Sequence, residues 1–213
     1  MLASDSRKRD LRRILLWSLI VGVALFLLVP ITYYSSSDGY MRYAKFLLGS
    51  SQDSGVFRRT PGYPLLLIIT GVFVFDSFWG LMLSQLAIAI MVPLLIYRIV
   101  SMYNQRIAYY ATLFSIASLI PYGFMKAVLT EQLYMFALLL AIWVAARFFS
   151  TRWVRYFYMA SFIFFILLLI RPGAQYMFVI FLLTALVLEY RYNRKIAIHV
   201  LSALVVIVLL IEG

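Results

Sequence analysis

The chain is predicted to fold as an all-α, polytopic transmembrane helical bundle, and three observations lead there. Hydrophobic residues fill 65% of the 213 positions and charged residues 13%, with a mean hydropathy of +0.96, which is more apolar surface than a water-soluble domain buries. Apolar runs of about 20 residues, enough to cross a bilayer at about 1.5 Å per residue, recur from Ile14 onward with short polar interruptions. Stretches such as Ala160 to Ile170 are apolar on every face, which excludes the alternation of barrel strands. A backbone deprived of water then satisfies its polar groups within helices.

The basic residues orient the bundle. Residues 1–13, with Arg7, Lys8, Arg9, Arg12 and Arg13, form a cytoplasmic N-terminus, and 14–213 form a single membrane module. The charge layout resembles a secretory signal, but the run from Ile14 to about Tyr34 is long and lacks a small-x-small site, so it is read as a retained first span. Residues from Ser35 then lie outside. The outer loop, 35–79, is expected to carry two juxtamembrane helices: one follows Ser35-Ser36-Ser37, and the other is the apolar stretch Tyr63 to Phe75, too short to span. Counting that stretch as a span would turn every later basic loop outward, against the positive-inside rule.

The remaining spans are expected at 80–100, 107–122, 131–149, 156–171, 175–190 and 196–212, about seven in all. Inner turns then hold Arg98 and Arg106, next Arg147, Arg152 and Arg155, and last Arg191, Arg194 and Lys195. Tyr33, Tyr34, Trp79, Tyr109, Tyr110, Trp153 and Tyr156 fall near the interfaces, where amphipathic rings prefer to sit. The net charge of +11 is therefore explained by sidedness, and nucleic-acid recognition finds no support. The absence of cysteine excludes a disulfide framework, a thiolate metal site and a cysteine nucleophile.

Polar residues collect on the outer face. Asp38, Asp53, Asp76 and Glu131 map there with Arg42, Lys45, Arg58, Arg59, Lys126 and Arg171, a mixture suited to an anionic headgroup. Asp38 is expected in the first turn of an amphipathic helix capped by the serines, sharing a face with Arg42 and Lys45. The same pattern fits a plain interfacial helix with a solvated ion pair. Arg58 and Arg59, before the rigid turn Thr60-Pro61-Gly62-Tyr63-Pro64, suit a bidentate phosphate clamp or a headgroup anchor. Glu131 suits a site carboxylate or a dipole-favoured helix start, and Arg171 a phosphate ligand or a helix-end arginine satisfying carbonyls. His199 stands alone and is read as structural.

Four segments in order carry a resemblance: Ser37-Asp38-Gly39-Tyr40 with Ala44, Arg59-Thr60-Pro61-Gly62-Tyr63-Pro64-Leu65-Leu66, Thr130-Glu131-Gln132-Leu133-Tyr134, and Leu169-Ile170-Arg171-Pro172. Together they resemble the polytopic GT-C glycosyltransferases, in particular bacterial relatives of protein O-mannosyltransferases and aminoarabinose transferases. The resemblance implies transfer of a sugar from a polyprenyl-phosphate carrier to an acceptor glycan, lipid or protein outside the cytoplasm, in a bacterial cytoplasmic membrane. It implies Asp38 as the catalytic or metal-associated carboxylate and Glu131 as a second acid. Arg58, Arg59, Lys126 and Arg171 become candidate phosphate ligands, with Tyr63 beside the substrate. Some members use a divalent cation, for which Asp38 would be the ligand. Members commonly carry more spans and an outer domain, so this chain is expected to match the N-terminal seven-helix module, with a C-terminal module or partner subunit to complete it. The competing expectations are a non-catalytic lipid-carrier-binding or transport protein and a structural subunit of an envelope-assembly complex.

Overall fold

A computed structural model describes residues 2–34, 36–50, 60–192 and 198. The described residues form eight α-helices and no strand: α1 Leu2–Leu28, α2 Ser37–Leu47, α3 Gly62–Ile69, α4 Trp79–Val100, α5 Gln105–Ala117, α6 Glu131–Thr151, α7 Val154–Ile170 and α8 Ala174–Tyr192. Three of them, in α1, α4 and α6, are long and apolar enough to cross a membrane, which marks the chain as a membrane protein. The apolar helices Val154–Ile170 and Ala174–Leu188 are shorter. The expected last span, 196–212, apart from Ile198, lies outside the described residues, as do the candidates Arg58 and Arg59 and the lone His199.

Several expected boundaries are corrected. α1 does not begin at Ile14: one helix of 27 residues runs through the basic cluster, because Leu, Arg, Lys and Asp carry no helix-breaking penalty there. It stops at Leu28 rather than Tyr34, just before Pro30, which lacks an N–H and restricts the residue preceding it. The expected second juxtamembrane helix covers only 8 residues as α3, and then turns at Gly71, whose φ of 75° is the left-handed region open to glycine. In place of the expected span at 107–122 stands α5, a helix of 13 residues that begins at Gln105 and ends at Ala117, about 20 Å long against the roughly 30 Å of hydrocarbon. Asn104 caps its start by accepting from the Ile107 N–H at 3.0 Å. A left-handed Leu119 and a 3-10 turn through Pro121 replace the end of the expected span.

Two cores hold the bundle. Ile14, Ala44, Tyr63, Leu67, Leu81, Met82, Ala89, Tyr97 and Ala108 join α1 to α5. Phe148, Phe157, Phe164, Phe178 and Phe181 interlock α6, α7 and α8, with Phe164 and Phe178 stacked at 5.3 Å and an interplanar angle of 7°. α4 packs against α1, α5 and α6 and so bridges the two. Outside these cores, large apolar side chains such as Leu27, Phe114, Phe162 and Ile180 are exposed, the surface that lipid would solvate.

Candidate functional site

Residue types at the end of α1 explain how α2 is placed. The chain leaving Leu28 runs beside the loop preceding α6: Thr32 N–H donates to the Lys126 carbonyl at 2.9 Å, and Thr32 and Ala127 form a short parallel bridge. Ser37, buried, donates from Oγ to the Val128 carbonyl at 2.8 Å and accepts from the Tyr34 N–H at 3.1 Å. The expected serine cap is thereby corrected. Ser36 sits at the cap position without a side-chain cap bond, and Ser37 spends its hydroxyl pinning α2 to the 126–128 segment.

Pinned this way, α2 turns Tyr40 and Ala44 inward and leaves Asp38, Arg42 and Lys45 exposed, the shared face that their spacing predicts. The Tyr33 hydroxyl donates to Asp38 Oδ1 at 2.8 Å. Tyr33, Asp38, Met41, Arg42 and Lys45 line an open cleft of about 500 Å³. Partial burial, then the hydrogen bond to Asp38 and its charge, push the Tyr33 phenol up from 10.0 to about 12, so it remains a donor at neutral pH. The sequence alone marks Tyr33 as an interfacial ring; the signal for its bond to Asp38 is its position five residues earlier, ahead of a helix start.

Tyr63 lies in the core of the bundle. Its side chain is 0% exposed, edge-on to Tyr40 at 5.1 Å, and its hydroxyl accepts from Gln85 Nε2 at 3.0 Å. Burial raises its phenol above the ordinary range. The turn before it is fitted to the end of α7: Thr60 Oγ1 donates to the Ile170 carbonyl at 2.8 Å, and a Cβ on Gly62 would come within 2.6 Å of the Leu169 carbonyl oxygen.

Glu131 and Arg171, 40 residues apart, meet: Arg171 Nη2 donates to Glu131 Oε1 at 3.2 Å, and the guanidinium lies 5.6 Å from the centre of the Tyr134 ring. Arg171 therefore serves a carboxylate from another helix, rather than the α7 carbonyls. Lys126 has structural partners too. Its Nζ donates to the Val29 carbonyl at 2.7 Å, beyond the end of α1, and sits 4.7 Å above the Phe26 ring. These bonds tie down a residue expected to contact phosphate.

The contacts gather the four sequence segments at one end of the bundle. Ser37 is joined to the loop before Thr130, Tyr40 to Tyr63, Thr60 and Gly62 to Leu169 and Ile170, and Arg171 to Glu131. Among the described residues no group of three or more His, Cys, Asp or Glu converges, and the side chains sharing the Asp38 cleft include the two cations Arg42 and Lys45. That charge pattern suits an anion beside a carboxylate. Comparisons with protein-family models, curated proteins and solved structures found no match to this chain.

Proposed function

We propose that the chain is a membrane glycosyltransferase module of GT-C type, with about seven spans and the N-terminus in the cytoplasm. It transfers a sugar from a polyprenyl-phosphate donor to an acceptor at the non-cytoplasmic face of a bacterial cytoplasmic membrane. The observation that carries this reading is the Asp38 cleft. An exposed carboxylate, oriented by a phenol at 2.8 Å, shares an open cavity with Arg42 and Lys45 at the end of the bundle where the four segments meet.

In this reading Asp38 accepts the proton of the acceptor hydroxyl or amine as that atom attacks the anomeric carbon. The bond from the anomeric carbon to the phosphate oxygen breaks, the phosphate leaves with the electron pair, and the anomeric centre inverts. Arg42 and Lys45 stabilise the charge gathering on the departing phosphate, and Arg58 and Arg59 are assigned to its outer oxygens. Tyr33 holds Asp38 in place, so it is a positioning residue. The ion pair with Arg171 supports a positioning role for Glu131 as well, with the pair joining the start of α6 to the end of α7.

The test is transfer of radiolabelled sugar by the purified full chain in lipid, from a panel of polyprenyl-phosphate sugars to added acceptors. Transfer from one donor supports the reading. Binding of carrier without transfer from any donor replaces it with a lipid-carrier-binding or transport protein, and absence of both leaves a structural subunit.

A further inference from the structure

We propose that the N-terminal turns of α1 carry a binding stripe for anionic phospholipid headgroups, built from Lys8, Arg9, Arg12 and Arg13 and held in register by Asp10. The proposal is independent of the transfer chemistry, since it concerns the opposite end of α1 from the Asp38 cleft.

The helix has two distinct faces. Ile14, Ser18, Gly22 and Phe26, four residues apart, are buried, and Asp10 extends that row by one turn. Asp10 Oδ2 accepts from the Tyr97 hydroxyl at 3.1 Å and from Gln105 Nε2 at 2.9 Å. Gln105 also donates to Ser6 Oγ at 3.1 Å. These bonds clamp the polar start of α1 onto α4 and α5, and a carboxylate in the midst of five cations is given to the bundle rather than to its neighbours.

The other face is left to the cations. Lys8 and Arg12 are four residues apart, as are Arg9 and Arg13, so the two pairs lie side by side. All four are exposed, and none is ion-paired among the described residues. The same face continues into Leu16, Leu19 and Ile20, which are exposed and apolar. Arg12 lies one turn, about 6 Å, before Leu16. On a helix that crosses a bilayer this places the guanidinium groups at headgroup depth, against lipid whose chains cover the leucines. Charge complementarity then selects an anionic headgroup, whose phosphate arginine binds in bidentate fashion.

The experiment is native mass spectrometry of the full chain released from nonionic micelles, with phosphatidylglycerol or phosphatidylcholine added and retained lipid counted. The wild type is expected to retain phosphatidylglycerol in preference. The variant K8Q/R9Q/R12Q/R13Q, whose exposed glutamines keep the helix, is expected to lose that preference by roughly fivefold for each cation removed. The comparison variant R147Q/R152Q/R155Q is expected to keep it. Unchanged preference in the first variant, or equal loss in the second, overturns the proposal. So does displacement of the lipid by inorganic phosphate or by a DNA oligonucleotide at matched phosphate concentration, which would assign the stripe to a free anion or to nucleic acid.

Discussion

Arg171 and Glu131 join the end of α7 to the start of α6 through a contact of 3.2 Å, with side chains 50% and 29% exposed. That exposure keeps the pair weak, because water screens it and both side chains are ordered to form it. A double-mutant cycle of Glu131→Gln and Arg171→Met, read by thermal unfolding in micelles, is expected to give a coupling below about 1 kcal/mol. Transfer is expected to fall more than tenfold in each single variant. A coupling of about 3 kcal/mol would instead indicate a desolvated structural pair.

Partial burial and the bond to Asp38 push the Tyr33 phenol up from 10.0 to about 12, and the sign of its effect follows. A proton held more tightly in the folded state stabilises the fold below the unfolded value, and that contribution fades as pH rises from 10.0 to about 12. Tyr33→Phe is expected to remove one late-titrating phenol from the tyrosinate absorbance curve and to lower kcat about tenfold with little change in KM. Unchanged kcat would remove Tyr33 from the site.

Gly62 has a narrower requirement. A methyl there would press on backbone at the end of α7, with the Leu169 carbonyl oxygen at 2.6 Å, so no rotamer relieves it. Gly62→Ala is expected to cost about 1–3 kcal/mol of stability, checked by the unfolding midpoint in micelles. A neutral result would show that the Thr60 to Tyr63 turn is not seated on α7.

Lys126 separates structural from binding roles. With its ammonium on the Val29 carbonyl and the Phe26 ring, Lys126→Met is expected to lose about 1 kcal/mol of stability and to keep carrier affinity within about twofold. A tenfold loss of affinity would place Lys126 at the phosphate site.

The helical class was legible because fully apolar runs leave no alternative in lipid, and the common face of Asp38, Arg42 and Lys45 follows from spacing alone. What escaped the sequence has identifiable causes. Hydropathy marks where lipid begins, not where a helix begins, so the basic turns of α1 carry no signal that they continue the span. The apolar run continues to Tyr122 while the helix stops at Ala117, because Pro121 restricts the backbone before it and hydropathy carries no mark of that. The burial of Tyr63 against Tyr40 and Gln85 and the meeting of Glu131 with Arg171 are tertiary facts. Neither has a local periodic signature.

The most direct test of the account is the single-turnover rate of sugar transfer by Asp38→Asn against wild type in lipid, with carrier binding measured on the same samples. The account predicts a rate reduced at least a hundredfold, roughly the contribution of a general base, with carrier affinity retained. Transfer at the wild-type rate, with the carrier bound, would contradict it.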